Sequence, residues 1–592
     1  MTAVRWERRG VMRKCLGIFV LVLVCVSLSL PAQNNQKIFG LDSQVYSAVN
    51  YLYLEQGLAL PSSAAPWSGD EIGHILARLE RDALSSTGQE VYDYVVKEIS
   101  PIDRKQVSDS FAASYNLDFT LEAYAHTNTQ DFTTDNDWKY SFEERKPFLF
   151  GSMEMWMTDN IYALAAISIG QNRYTGNDNA TVYYGEKSVT LNIDPAGSIS
   201  NVSFNFPRRS FILAGGSHWN VLFGRDRLSW GNGVSGNLVI GGHTDYHDFF
   251  RFTSYHDTFK YSYLISSMVH PANFYDIAKT EVVPGQAQDY LLQGLNLFIA
   301  HRFEWTMIKD KLRLSVTEGL QYQSLDNRLD LRALSPTLLM HNFYIIRESN
   351  STLSFELDYT PMKHLNLYGQ VIVDEFRIPG EGNDNPGALG FLVGAKTAFP
   401  LMGGAFHASV EGVKTDPFLY IRDSGEYRYP PTTDTGIPLS FIMAQRALAM
   451  GGQTQYAFDF IGYEYGNDAL VVNLNAGYRR YGAWYVDATF FHMWHGTFDM
   501  FTQWESSPEA GSATSPTGSH ADFENNGDPN AKTNRRAVER TFLFSLQGGY
   551  TIMRGLDVYA QGDLFVISNK GNIPAATPAV DFQFTLGATY SL

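Results

Sequence analysis

The last dozen residues of the chain, 581 to 592, alternate between apolar and small or polar side chains and stop on an apolar residue. Phe582, Phe584, Leu586, Ala588, Tyr590 and Leu592 fall in one phase, and Asp581, Gln583, Thr585, Gly587, Thr589 and Ser591 in the other. Successive side chains of a strand point to opposite faces, so this segment has one apolar side and one wet side. A tilted strand that crosses a bilayer needs about 9 to 11 residues, close to the length available here. The alternative is an edge strand of a soluble sandwich.

The other end of the chain favours the membrane. Arg5, Arg8, Arg9, Arg13 and Lys14 precede an apolar run from Leu16 to Leu30, followed by Pro31, Ala32 and a polar stretch. That is the layout of a cleaved export signal over residues 1 to 32. The run is short for a spanning helix, and no later stretch approaches about 18 consecutive apolar residues. A mature chain that meets a membrane must therefore do so with strands. Both cysteines, Cys15 and Cys25, lie inside the signal, which excludes disulfides and Cys-ligated metals from the rest. Cys25 as a lipid-anchor site is disfavoured by the bulky Leu23 and Val24 before it.

Removing residues 1 to 32 takes away five basic residues and one acid, moving the formal charge from -17 to about -21. Such a chain is a poor partner for nucleic acid. A 14% aromatic content, 50 glycines and a slightly negative mean hydropathy suit alternating strands with aromatic girdles better than a buried-core enzyme.

Residues 33 to 105 read as a small helical module. Leu41, Val45, Val49, Leu52 and Gln56 recur at helical spacing until Gly57 and Pro61. Ser68 with Glu71 resembles a capping box ahead of Ile72, Ile75, Leu76 and Leu79. A third helix is expected over Gln89 to Ile99, with Val91, Tyr94, Val95 and Ile99 on one side.

From about Phe111 the period switches to two and stays there, so residues 106 to 592 read as strands. Leu353, Phe355, Leu357 and Tyr359 pair with Leu365, Leu367, Gly369, Val371 and Val373 across the turn Thr360 to His364. Ser354, Glu356, Asp358, Asn366, Gln370 and Asp374 occupy the opposite faces; a charge set of that density must line a lumen rather than face lipid. Two more hairpins run Leu470 to Tyr478 with Trp484 to Phe490, and Phe542 to Ile552 with Leu556 to Val566. Long polar connections separate these short turns, notably Gln171 to Ser198, Glu375 to Gly387, Lys414 to Ile437 and His495 to Arg540. Ser506 to Thr533 is poor in bulky apolar residues and is expected to be mobile and exposed. The spans number about 16 to 18, and the fold class is an all-β transmembrane β-barrel, antiparallel, with a small N-terminal α-helical periplasmic module.

The densest cluster of chemistry is GRDRLSWGNGVSGNL, Gly224 to Leu238. Arg225 and Arg227 alternate across Asp226, so on a strand both guanidiniums share a face and can grip carboxylates. Trp230 with Gly231, Gly233 and Gly236 predicts a tight, aromatic-anchored bend. An Arg pair beside a Trp is a platform for an acidic sugar; the same arginines would equally form a lumenal charge network with Glu318, Glu356, Asp374 and Glu411. His243, Asp245 and His247 also share a strand face, and His256 stands near Asp257, but a polar segment folding into or over the lumen explains them better than a metal. His492 and His495 beside Trp494 sit where an aromatic belt is expected. The sequence carries no nucleophile elbow, no phosphate-cradling glycine loop and no helical metal-ligand motif, so neither an enzyme nor a cofactor is expected.

The stretch FPRRSFILAGGSHWNVLFGRDRLSWGNGVSGNL, Phe206 to Leu238, resembles the central motif of the Wzi-like capsule-assembly barrels of bacterial outer membranes. His301 to Tyr322, Asn366 to Phe376 and Glu411 to Tyr420 resemble further blocks of that family in the same order, and Ser63 to Leu76 is similar to the segment after its first periplasmic helix. The chain ends on a bulky apolar residue with an aromatic two places before it, similar to the C-terminal signature of outer-membrane barrels. The resemblance implies an 18-stranded barrel with a periplasmic helical bundle, in the outer membrane of a diderm bacterium, that holds capsular or other surface polysaccharide. It implies outer-membrane lipid and the barrel-assembly machinery as further partners. Candidate glycan contacts are Trp219, Arg225, Arg227, Trp230, Tyr427, Tyr429, Trp494 and Trp504. The alternative reading is a diffusion porin or transporter for small or acidic solutes.

Overall fold

The computed structural model describes residues 34 to 592 except 101–104, 109, 133–138, 140–144, 172–188, 194–198, 205–208, 270–293, 325–326, 337–340, 342–344, 346–348, 377–386, 423–438, 449–453, 503–513 and 519–534. The export signal expected over residues 1 to 32 lies outside the described residues.

Among the described residues three α-helices come first, and side-chain caps set their starts. α1 is Gln44–Gln56: the Ser43 hydroxyl accepts the Val45 N–H, and Gly57 closes the helix with φ 77°, a left-handed conformation that suits glycine. α2 is Gly69–Ala77, where Ser68 Oγ accepts the Glu71 N–H at 3.1 Å. α3 is Ser86–Ile99, capped by Ser85, and starts three residues ahead of the span read from periodicity because that serine satisfies the Gly88 N–H. The apolar stripes expected from spacing, Val45, Val49 and Leu52, Ile72 and Leu76, Val91 and Val95, are buried against one another.

Eighteen long strands then close a ring among the described residues. They are β1 Phe111–His126, β2 Leu149–Met157, β3 Ile161–Gln171, β4 Ser210–Gly216, β5 Trp219–Asp226 and β6 His247–Tyr255. The ring continues through β7 Phe259–Ser267, β8 Leu295–Met307, β9 Leu312–Ser324, β10 Ser349–Met362, β11 Leu365–Glu375 and β12 Ala388–Leu401. It is completed by β13 Gly404–Thr415, β14 Ala469–Arg480, β15 Trp484–His495, β16 Glu539–Met553, β17 Leu556–Ser568 and β18 Ala579–Ser591. β18 pairs antiparallel with β1, Leu586 against Ala123, so the C-terminal strand read from alternation is the closing one. Its Phe582, Leu586 and Tyr590 are exposed while Asp581, Gln583 and Thr585 are buried, as the two-residue period requires.

The two rims differ. Two to four residues join β2 to β3, β4 to β5, β6 to β7 and each later odd-numbered hairpin partner, whereas the opposite connections are long. Short turns on one rim and long loops on the other are the habit of outer-membrane barrels, which makes the short-turn rim the inner one. The helices sit on that rim: His364 N–H donates to Leu54 C=O at 2.7 Å, Ala59 N–H to Asp310 C=O at 2.8 Å, and Tyr94 packs on Tyr481 at 5.5 Å. The helical core also takes in Ala398 and Ala405 of the wall, so the helices and the barrel share one buried cluster.

The lumen is packed with chain. The strap between α1 and α2 enters it from below, and its Ala64–Ala65 pairs antiparallel with Ser229–Trp230 of the β5–β6 loop, which folds in from above. Leu228, Trp230, Leu238 and Ile240 from that loop meet Phe418, Leu419, Tyr420, Phe441 and Tyr463 from the β13–β14 connection in a single apolar cluster.

One connection goes the other way. Residues 327–336, 341 and 345, between β9 and β10, lie over the outer face of β7 to β9, where Ala333 and Ile345 pack on Tyr263, Leu297, Ile299, Leu320 and Tyr322. This corrects the placement of Glu318 in a lumenal network. Thr317 meets the lumenal Arg302, so its neighbour Glu318 points outward, in phase with Leu320, where the loop rather than water covers it.

Candidate functional site

Strand phase and loop direction together define the site region. In the lumen, the strap is held by charged wall residues that bond its backbone. Arg313 Nε donates to Leu60 C=O at 3.1 Å, Lys260 Nζ to Ala64 C=O at 3.0 Å and Arg251 to Pro66 C=O at 2.9 Å, while Asp358 accepts the Leu60 N–H at 2.8 Å. Arg302, fully buried, donates to Glu356 at 2.7 and 2.9 Å and to Ser63 Oγ at 2.5 Å. Buried charges survive only when paired and bonded, so this sector is a lock between plug and wall. The cavity left between Ser63, Glu356 and Gln370 is about 10 Å³, space for about one water.

Glu411 holds the tip of the β5–β6 loop, accepting the N–H groups of Val234 and Ser235 at 2.8 Å each and the Tyr368 hydroxyl at 2.8 Å. The glycines read as a bend make one: Gly231 and Gly236 have φ 138° and 129°, and a Cβ on Gly231 would strike Asn237 and Gln370. Asp374 accepts from Asn350 at 3.1 Å and from the Tyr420 N–H at 2.9 Å, and Tyr420 OH donates to Leu238 C=O at 2.6 Å, tying the two inward loops together. Burial pushes the phenols of Tyr420 and Tyr463 well up, so both stay neutral donors.

At the outer rim, Arg225 and Arg227 do not act as a pair. Arg225 grips Asp248 of the neighbouring strand bidentately, at 2.7 and 2.6 Å, and stacks over Tyr246 at 3.8 Å. β5 stops at Asp226, whose carboxylate Arg209 takes, so the period of two ends before Arg227. Arg227 turns instead to Gly242 C=O at 2.7 Å and Asp42 at 3.3 Å. Arg422 bridges Asn350 at 3.0 Å and Glu375 at 3.3 Å. Asp468 pins the β15–β16 loop, accepting the N–H groups of Thr517 at 2.9 Å and Phe498 at 3.1 Å and the Thr517 hydroxyl; burial raises its carboxyl.

The other sequence-selected residues are scattered. Trp219 opens β5 at the inner rim, and Trp230 is fully buried in the lumen, 6.0 Å from Arg302. Trp494 stands on the outward face near the outer rim beside His492, which stacks on Phe542. Tyr427, Tyr429 and Trp504 lie outside the described residues, as does most of Ser506 to Thr533. His247 bonds Thr244 Oγ1 at 3.0 Å and Ser266 Oγ at 3.3 Å, and among the described residues no group of three or more His, Cys, Asp or Glu gathers to hold a metal.

Sequence reasoning passed over Tyr246, Arg422 and the outward cluster that His301 and His341 form with Glu318, a residue it had assigned to the lumen. For the last, a signal was present: His301 and Glu318 interrupt the apolar phase of their strands.

No protein-family profile matches the chain, and no curated protein matches it in sequence. Among solved structures it is similar to Wzi, an outer-membrane protein of Escherichia coli involved in group 1 capsule assembly and described as a carbohydrate-binding β-barrel. The TM-score is 0.54 at 12% identity, over 93% of this chain and 98% of that one. Matches of lower TM-score, 0.37 each, are OpdK of Pseudomonas aeruginosa with vanillate, at 10% identity over 81% of this chain and 98% of that one, and OprD of the same organism, at 9% over 81% and 95%. The likeness to Wzi is one of fold. With its closed ring and outward apolar belt, the chain is a β-barrel of the Gram-negative outer membrane.

Proposed function

We propose that this protein binds or anchors surface polysaccharide, capsular polysaccharide in particular, at its outer rim, without covalent chemistry. The observation that carries the reading is the filled lumen. A strap from one side and two loops from the other are bonded to each other and to the wall, which suits a scaffold rather than a conduit. The fold shared with Wzi, a protein described as carbohydrate binding, supports the same conclusion. Contacts fall to the rim: Arg225 with Tyr246, Arg422 with Glu375, and Trp494; the further contacts expected from the sequence, Tyr427, Tyr429 and Trp504, lie outside the described residues. Trp230 and Arg227 support the loop from below, and Trp219 belongs to the inner rim.

The alternative, a diffusion porin or transporter, draws on Gln547 and Asp557, which take the lumenal phase of β16 and β17 and are solvent-exposed. Two measurements separate the readings. A deletion strain sheds surface glycan while its solute permeability barely changes, and the purified barrel binds isolated surface glycan less well with Arg225→Ala and Trp494→Ala. Stepwise conductance of the intact protein in planar bilayers, with glycan retention unaltered by deletion, would establish the porin instead.

A further inference from the structure

The lipid-facing wall is not uniform. Across β15 to β18 the outward register runs Val486, Gly548, Ala560, Leu586, with Trp484, Tyr550 and Val558 in the row below. Gly548 and Ala560 leave a recess between bulkier neighbours, an outward groove of about 410 Å³ floored by Gly548 and Gly549 and walled by Trp484, Tyr550 and Leu586. Its walls stand well out from the barrel, Tyr550 and Leu586 being 55% and 50% exposed. The groove lies just above the short turns 481–483 and 554–555, so it opens in the half of the apolar belt nearer the inner rim.

Two arginines sit at its foot. Arg480 ends β14 directly beside Trp484, and Arg554 occupies the turn after β16, next to the 481–483 turn to which the Thr551 N–H bonds. Both are exposed, and among the described residues neither guanidinium has a hydrogen-bond or ion-pair partner. Most other arginines of the described chain are spent on carboxylates or carbonyls, as Arg225, Arg302, Arg313 and Arg479 are.

We infer that this groove is a binding site for one inner-leaflet phospholipid with an anionic, phosphate-bearing headgroup. The surroundings of the groove are hydrocarbon, and a recess in a wall otherwise covered by lipid is filled by an acyl chain, which gains dispersion contact with glycine backbone and aromatic faces. Trp484 and Tyr550 stand at the depth where amphipathic rings mark the interface. Below them the guanidiniums of Arg480 and Arg554 meet the phosphate with charge-assisted bonds that a zwitterionic headgroup would compete for less well. The site is independent of the glycan-binding reading, being on the opposite rim and on the outside.

The test uses the intact barrel in detergent, given equimolar phosphatidylglycerol and phosphatidylcholine of the same chain composition and examined by native mass spectrometry. One phosphatidylglycerol is expected to remain bound, favoured by about tenfold, a difference of about 1.4 kcal/mol. Arg480→Ala with Arg554→Ala reduces its retention to that of phosphatidylcholine, while Ala560→Phe, which fills the groove from the lipid side, lowers retention of both. Heat-modifiable gel migration confirms that each variant is folded. Equal retention of the two lipids, indifference to either variant, displacement by inorganic phosphate alone, or a dimer that Ala560→Phe dissociates would each overturn the assignment, the last by making the groove a contact between copies.

Discussion

Glu318 accepts the backbone N–H of His341 at 2.7 Å and lies 3.1 Å from the Nδ1 of the same ring, on the outside of the barrel wall. His341 stacks on His301 with ring centres 5.3 Å apart, and Tyr261 and Tyr263 donate their hydroxyls to Pro336 and Leu334 carbonyls of the same loop. A carboxylate on an outward strand face is tolerable because this loop stands between it and lipid.

Glu318→Ala should therefore release the loop. The buried N–H of His341 loses its acceptor, a penalty of about 1 to 3 kcal/mol, while Glu318→Gln keeps one and loses less. Protease cleavage within residues 327–345 of the folded barrel is the measurement, with the order alanine, glutamine, wild type expected from fastest to slowest. Identical cleavage of all three would show that the clasp does not hold the loop.

How much of this was legible follows from what period can report. The outward phase of β18, β10 and β11 and the caps at Ser68 and Gly57 were readable because lipid on one side, or an orphan N–H at a helix start, acts on residues adjacent in sequence. The plug was not. Leu228, Trp230, Phe418 and Tyr463 are buried by a loop turning inward, and nothing local distinguishes that from a loop rising into solvent. The pairing of Arg225 with Arg227 failed because the strand ends between them, and Glu318 was misplaced because a period of two names two faces without saying what covers each.

Arg302 locks the plug. With its guanidinium gone, Glu356 and Glu304, 3.4 Å away on the same strand, are left buried among too few cations, so Arg302→Met should cost about 3 to 5 kcal/mol. The double change Arg302→Met with Glu356→Leu removes the orphaned charge and should recover part of the loss. The temperature at which the heat-modifiable band disappears reads both, and a double variant no better than the single one would show that the pair is not the lock.

Asp70 gives the inner rim a pH dependence. Tyr255 OH donates to its carboxylate at 2.8 Å, but burial against the barrel rim is the larger influence and holds its carboxyl above the ordinary range. The folded chain thus binds this proton more tightly than the unfolded one, whose carboxyl titrates near about 3.9. Between that value and the raised one the folded state carries more protons, so the contribution of Asp70 to stability falls as pH rises through the window. Asp70→Asn keeps an acceptor for Tyr255 and has no proton to lose. The thermal midpoint of wild type relative to the variant should decline as pH is raised from about 4, and a difference that is flat with pH would refute the assignment.

The last prediction bears on whether the barrel conducts. A ring of 16 to 18 strands is wide enough to hold an aqueous channel when nothing fills it, so the silence expected of this barrel in planar bilayers would have to come from its contents. The β5–β6 loop is the keystone: Trp230 N–H bonds Ile240 C=O at 3.1 Å, Gly231 N–H bonds Ser63 C=O at 2.9 Å, and the Trp230 ring is fully buried between strap and wall. Replacing residues 228–245 with a short Gly/Ser linker leaves every barrel strand intact while removing the sheet that joins strap to loop. Intact protein is expected to give no steps in planar bilayers, and the loop-replaced barrel, still heat-modifiable, to conduct. If the replaced barrel also stays silent, the seal resides in the strap and its charged wall contacts, which the Arg302→Met variant would then open; if the intact protein conducts, the scaffold reading gives way to the porin.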